Sequence, residues 1–518
     1  MTYELLRCIL YIQIKGKFSL FFGINILYSR LYDVRGDMQG SLMVKKGFPA
    51  VHFYDQDFVD MYEQTWSWVQ DAWYKNKDQD KNGLQEAFLV HPGNSTIDQF
   101  EACLSTFFLA YSNNIFPASN VLDNFYAKQE DSGAIRGSYR IDTGAPVLTD
   151  DNPESVQPPL FAYAEYNLFH KNGNKKRLKE IVPVLQRYFS WLEQNFKTEN
   201  GLYSVPAEAT KMGNSPREAV EYQVDFNSQQ AINALYMSAL GDILNDKEIS
   251  FTYKRHYFSL KTRINSQMWD EQTGFYHDLD KEGQRLPAKT VAGFWTLLAE
   301  IPNEAKAVRL IDHLKDPETF GIEHPFPSLS ADDPNFVENG GGYRGSVFPV
   351  FNFMVVKGLE KYARFELARE AAIRHLYYML DTLHPEGRDD GNVWEAYHPL
   401  KEGHADWDGN DEFPRPLFLP FVGLSTITLI IENVLGLFIS LPRKTVDWIM
   451  PTLEIMGIEN LSLKRNIISI LTNKSNRGWE VRLESEKLYY FTINILDEDK
   501  KKTLPIPSGK CSMLIEKM

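Results

Sequence analysis

One carboxylate stands among three rings in the segment Asn392-Val393-Trp394-Glu395-Ala396-Tyr397-His398-Pro399. Rings of this kind cover the apolar faces of sugars, and the acid between them can handle a water or a hydroxyl. A glutamate paired with a neighbouring cation is the competing reading of Glu395, because most carboxylates are solvated surface groups. Upstream lies a glycine-rich turn, Gly340-Gly341-Gly342-Tyr343-Arg344-Gly345. Three glycines let the backbone turn sharply and direct the Arg344 guanidinium into a cleft. Its planar fork suits vicinal hydroxyls or a substrate carboxylate, and equally a structural pairing with a catalytic Glu or a nearby Asp.

The elements that must position these groups read as helices. From about residue 50 to about 436 the apolar residues recur at helical spacing, as in Phe58, Tyr62, Trp66 and Val69, or Phe100, Cys103, Leu104 and Phe107. Gly-, Pro-, Asn- and Asp-rich loops separate roughly a dozen such stretches. No repeat of 30–45 residues appears, which weakens a solenoid. A closed ring of helical hairpins suits the pattern better. Long polar loops at 142–157, 208–223, 325–345 and 384–416 place the site at one end of that ring. After Pro442 short alternating strands replace the helices. The expected organisation is therefore an N-terminal extension over 1–45, a helical domain over 46–440 and a small β domain over 445–518. The extension reads as dispensable, with Met43 an alternative start and a poor signal peptide the competing reading, since Arg7, Lys15 and Lys17 break its apolar run.

Composition narrows the function classes. The net charge of −14 and the lack of a basic stripe exclude nucleic acid as the expected partner. The expected partner is a carbohydrate, without stable membrane insertion and with the oligomeric state left open. The compartment reads as cytoplasmic or periplasmic. Three scattered cysteines suggest neither a zinc site nor a disulfide framework. No histidine pair has ligand spacing, and the acidic run Asp406-Trp407-Asp408-Gly409-Asn410-Asp411 lacks the closing Glu of a calcium loop. Neither a metal nor another cofactor is demanded.

An ordered set of short motifs carries a family resemblance. It comprises Phe116-Pro117, Leu122-Asp123-Asn124-Phe125-Tyr126-Ala127-Lys128-Gln129, Gln157-Pro158-Pro159-Leu160, Pro327-Ser328-Leu329-Ser330 with Asp332-Asp333-Pro334, Tyr343-Arg344-Gly345, Glu395-Ala396-Tyr397-His398-Pro399 and Phe421-Val422-Gly423. In this order, across residues 85–436, the chain resembles the trehalase-like inverting glycoside hydrolases: trehalases, mannosylglycerate hydrolases and processing α-glucosidases. The resemblance implies a mainly α fold, an (α/α)6 barrel of helical hairpins with a small C-terminal β module, and hydrolysis of an α-linked glucoside or mannoside with inversion. Two carboxylates would do this, one protonating the leaving oxygen and one deprotonating a water. Glu395 matches the family's general base. Glu101, Phe100, Gln157, Asn214, Arg217, Tyr343, Arg344, Trp394, Tyr397 and His398 become candidate substrate-binding residues.

The departures bear directly on catalysis. The family's general acid is an Asp in a segment resembling Ser-Gly-Met-Asp-Asn-Ser-Pro-Arg. Here the stretch is Thr210-Lys211-Met212-Gly213-Asn214-Ser215-Pro216-Arg217, and Gly213 cannot give a proton. Losing general-acid assistance costs about 10²–10⁴ in rate. Glu208, in the same loop, is the candidate substitute, and Asp225 reads as a helix N-cap. Phe100-Glu101 replaces a family Trp-Asp pair, Tyr343 replaces a Trp, and Leu424 stands where Trp is common. Three readings stay open: an inverting hydrolase with an unusual acid, a carbohydrate-binding protein that has lost catalysis, and a structural protein reusing the barrel.

Overall fold

The computed structural model describes residues 47–384, 391–450, 454–464, 466–475, 478–496, 500–506 and 509–515. The extension over 1–45 lies outside them. Twelve principal helical elements follow: α1 (Gln56–Asp71), α2 (Gln99–Leu109), α3 (Ser119–Tyr126), α4 (Phe161–Asn172), α5 (Lys175–Phe196), α6 (Val224–Leu244), α7 (Lys247–Gln267), α8 (Trp295–Leu298), α9 (Glu304–Asp312), α10 (Pro349–Lys361), α11 (Phe365–Leu383) and α12 (Leu419–Gly423). A 3-10 turn, Val291–Phe294, leads into α8, and a π-helix, Leu424–Val434, continues α12.

Even-numbered helices touch in sequence, α2 to α4, α4 to α6, α6 to α8, α8 to α10 and α10 to α12, and α12 returns to α2. Six inner helices therefore close a ring, with the odd-numbered helices outside. This is the (α/α)6 barrel. Burial separates the two sets. Outer α5 buries one stripe, Leu178, Val182, Leu185, Phe189, Leu192 and Phe196, as a surface helix does. Inner α10 buries every residue from Pro349 to Leu359. Pro349 starts α10 where a missing N–H costs nothing.

The remainder of the chain is β-structure. One sheet has the order Ala50–His52, Gly457–Leu463, Asn466–Ser475, Gly478–Ser485, Gly509–Ile515. The other has the order Lys500–Ile506, Tyr489–Ile495, Thr445–Met450, Leu437–Ser440. The first strand precedes the barrel in sequence, yet pairs with the C-terminal module, Ala50 opposite Glu459 and His52 opposite Gly457. Buried Trp448 fastens the second sheet to the ring, its indole N–H donating to the Leu435 carbonyl at 2.6 Å. Among the described residues no helix is long and apolar enough to cross a membrane.

Candidate active site at the mouth of the ring

The N-terminal ends of the inner helices share one face of the barrel with the long loops. α2 enters it through Asp98, whose carboxylate caps the helix by accepting from the backbone N–H groups of Phe100 at 3.0 Å and Glu101 at 3.3 Å. The cap puts Glu101 in the first helical turn, facing the mouth. The loop after α11 delivers Glu395 by a different device. Residues 393–397 and 415–417 run antiparallel: Trp394 bridges Pro416, and the Leu417 N–H reaches the Val393 carbonyl at 2.7 Å. On its other side Tyr397 exchanges backbone hydrogen bonds with Val347, at 2.8 and 2.9 Å, just before α10.

This ribbon sets Glu395 opposite Arg415. The guanidinium grips the carboxylate in bidentate fashion, Nε to Oε2 at 2.8 Å and Nη2 to Oε1 at 2.7 Å, and the Arg415 backbone N–H adds a third bond at 3.3 Å. The Glu395 side chain is 8% exposed and that of Arg415 is 35% exposed. The Arg415 fork lies over the Phe418 ring at 3.6 Å, which holds the cation flat. The same guanidinium reaches Glu101, Nη1 to Oε1 at 4.0 Å. One cation thus stands between two carboxylates.

The charges around Glu101 are unequal partners. Burial pushes its carboxyl up to about 8, aided by the negative charge of Asp98 and Glu395 and opposed by Arg415 and Lys211. Asp98 goes the other way. Burial opposes its ionisation, but Lys211 at 2.7 Å and the amide of Gln157 at 2.6 Å hold it below the usual carboxylate range. Burial first, and Arg415 second, push His91 down to about 4, so its imidazole is neutral. A cavity of about 30 Å³ is lined by His91, Asp98, Glu101, Ser105 and Asn124, among others.

The remaining residues expected at the site serve it in different ways. Gln157 is part of the Asp98 network, donating to Asp98 and Ser138 and accepting from the Phe100 N–H. Phe100 is buried, edge-on to Phe421. Tyr343 lies flat on Phe348 at 4.6 Å, and burial followed by the field of Glu395 raises its phenol above the normal range. Asn214 fastens two loops, donating to the Gly341 carbonyl at 2.8 Å and accepting from the Tyr343 N–H at 2.7 Å. Arg344 does not pair with Glu395. It donates to the Asn214 carbonyl at 3.0 Å and sits 3.6 Å from exposed Glu218. Arg217 is buried between Asp225 and Asp278, 2.7 and 2.8 Å away. Asp225 lies inside the first turn of α6 and is not its cap; the free Val224 N–H is taken by Asp278 at 2.7 Å. Trp394 is half-buried beside His404, Tyr397 is fully buried, and the buried His398 accepts through Nδ1 from the Leu400 N–H. Glu208 is exposed and accepts from Thr149 at 2.8 Å.

Four residues around Glu101 and Glu395 escaped the sequence reading: Arg415, Asp98, Lys211 and His91. Arg415 had a local signal, since Pro414 and Pro416 on either side fix an extended backbone. Nothing in the sequence paired it with a residue twenty positions earlier.

Comparison with known proteins bears on this site and this barrel. Residues 118–413 match the mannosylglycerate hydrolase MGH1-like glycoside hydrolase domain, and residues 436–518 match the trehalase C-terminal domain. An uncharacterized protein of Borreliella burgdorferi is 50% identical over 477 residues, 92% of this chain and 100% of that protein. Mannosylglycerate hydrolase MGH1 of Selaginella moellendorffii is 34% identical over 137 residues, which are 26% of this chain and 25% of that enzyme. Among solved structures, a GH63 mannosylglycerate hydrolase from Thermus thermophilus in complex with glucose superposes with a TM-score of 0.58 at 17% identity, covering 71% of this chain and 99% of that one. Neutral trehalase Nth1 from Saccharomyces cerevisiae gives 0.51 at 15% identity, covering 66% of this chain and 73% of that one. At such identities the likeness is one of fold. The two domain matches and the ring of six hairpins agree with the ordered motifs, and the chain belongs to the MGH1-like glycoside hydrolases of the trehalase-like superfamily.

Proposed function

We propose that the protein hydrolyses an α-linked glucoside or mannoside, a small glycoside or an oligosaccharide, with inversion, and that Glu395 takes the proton of the attacking water. The observation that carries this reading is the pair of carboxylates flanking Arg415. The contacts of 2.7 and 4.0 Å on one guanidinium keep their nearest oxygens no more than about 9 Å apart, compatible with the spacing of roughly 6.5–9.5 Å that leaves room for a water in an inverting site. A carboxylate offers about four lone-pair sites, and Arg415 fills three on Glu395, two of them on Oε2. Oε1 keeps a free lone pair for the water. In this reading Arg415 positions the base.

A second reading is favoured by the same ion pair together with Gly213. A base clamped in a bidentate pair, with no side chain at the usual acid position, suits a carbohydrate-binding protein that no longer turns over. The two readings separate in one assay series. Trehalose, mannosylglycerate and the α-glucosyl and α-mannosyl fluorides are offered to the wild type and to Glu395→Gln, and the first-formed anomer is followed by NMR. Hydrolysis to the β-anomer that disappears in Glu395→Gln, with sugar affinity retained, is the expected result. Equal turnover by the two proteins removes Glu395 from the reaction, an α-anomer removes inversion, and saturable binding without turnover favours the second reading.

A further inference from the structure

The proton donor is the open question of this site, and each acidic group near it can be weighed by its engagements. Both Asp98 oxygens are occupied, one by the N–H groups of α2 and the other by Ser138, Gln157 and Lys211. Glu395 holds Arg415. Glu208 is turned out to Thr149, Glu221 accepts from Ser204 at 2.6 Å, and Glu218 is exposed beside Arg344. Asp225 is committed to Arg217. The Glu101 carboxyl differs from all of these. It accepts no hydrogen bond from any described residue, its charged contact is the 4.0 Å approach to Arg415, and its side chain is 19% exposed.

We propose that Glu101, on the first turn of α2, is the group that protonates the leaving oxygen in place of a residue at position 213. This rests on the hydrolase reading above. The Glu101 O–H bond breaks as the bond between the anomeric carbon and the leaving oxygen breaks, and the proton goes to that oxygen. Water oxygen bonds to the anomeric carbon from the other face, and its proton goes to Glu395. One water is consumed, two hydroxyls are formed, and both carboxyls return to their starting states by exchange with solvent. The cavity beside Glu101 offers the return path. Its roughly 30 Å³ has room for about two waters. His91 lines it, and the buried His91 Nδ1 has no partner among the described residues, leaving an acceptor for one of those waters.

The groups that face Glu101 are Asp98 on its own helix cap, Lys211 from the 208–223 loop, Arg415 and Glu395 from the ribbon, Tyr343 from the loop before α10, and neutral His91 across the cavity. Burial first, then the negative charge of Asp98 and Glu395 against the opposing Arg415 and Lys211, raises the carboxyl to about 8, so that it carries a proton at neutral pH. The test compares leaving groups. Glycosyl fluorides need little protonation, whereas trehalose and mannosylglycerate need it fully. Glu101→Gln is expected to lose about 10²–10⁴ in kcat on the unactivated glycosides while keeping most of its rate on the fluorides. Retained fluoride turnover also proves the variant folded. The wild-type kcat/KM on unactivated glycosides should fall above about pH 8, and this limb should vanish in Glu101→Gln. Equal losses on both substrate classes, or an unmoved basic limb, overturn the proposal and leave Glu101 a binding group. If Glu101→Gln does not fold, Glu101→Asp takes its place: an unchanged fluoride-to-glycoside ratio in that variant overturns the proposal. A wild type inert on both classes overturns the hydrolase reading itself, a distinct outcome.

Discussion

With Arg415 replaced by methionine, Glu395 would keep its burial and lose the charge that compensates it. Breaking a buried pair by removing one partner costs about 3–5 kcal/mol, and the one-third exposure of Arg415 lowers the expectation here to about 2–4 kcal/mol. Urea unfolding of Arg415→Met checks the figure; a loss below about 0.5 kcal/mol would mean the pair is solvated in practice. Arg415→Lys keeps the charge and removes the fork, so it should recover part of the stability but not the orientation of Glu395. At position 213 the expectation is the reverse. A Cβ there meets nothing within 4 Å and the backbone is unstrained, so Gly213→Asp should melt within about 2 °C of the wild type. If the pocket still suits an acid there, hydrolysis of unactivated glycosides rises, and it rises most in the Glu101→Gln background. Glu395 stood out as a candidate through its aromatic neighbours and the family's motif order. Its clamp did not, because Arg415 meets it only once two loop segments pair.

At the level of helices and loops, several of the residues expected to contact sugar also fasten segments together. Arg217 shows how. A motif residue in a polar loop reads as pocket lining, but α6 presents Asp225 and the loop before α8 presents Asp278, and together they bury the guanidinium. Arg217→Met should strand two buried carboxylates and cost about 3–5 kcal/mol, measured by denaturant titration. The helical periodicity was readable because an outer helix such as α5 has one apolar stripe. The inner helices were harder to grade, since α6 buries Asn227, Ser228, Gln229, Gln230 and Asn233 along with its apolar residues. Gly241 illustrates a constraint no periodicity shows. A Cβ there would lie 2.5 Å from the Ser250 backbone nitrogen, where α6 and α7 meet. Gly241→Ala is expected to lower the melting temperature by an overpacking cost of about 1–3 kcal/mol.

Across the whole molecule, acid is the condition to which the ring should be most sensitive. Behind the Glu395 loop, His324 Nε2 meets His375 Nδ1 at 2.7 Å, His375 Nε2 meets Ser425 at 3.1 Å, and His324 Nδ1 meets the His398 carbonyl at 3.2 Å. The chain is satisfied with both rings neutral. Burial, with His375 alongside, pushes His324 well down, and burial alone pushes His375 down to about 3. Folded-state values below the unfolded value of about 6.5 mean that the unfolded chain binds more protons in acid. The penalty is absent above about pH 6.5 and grows as pH falls toward 3. Melting temperature should therefore drop steadily from pH 7 to pH 4, and His375→Gln should flatten that slope; an equally steep slope in the variant would assign it to the other buried histidines, such as His91 and His170, or to carboxylates.

The strand Ala50–His52, made before the first helix, has its partner at Gly457–Leu463. α12 joins α2 only when nearly the whole ring has been synthesised. Closure of this kind pairs a strand made before the first helix with one made after the last, and pairings so distant in sequence are slow to form. On the ribosome the nascent chain would carry an open arc of apolar helices until its final quarter emerged. Its hazard is association during birth, and the cell that makes it has reason to keep a holdase within reach.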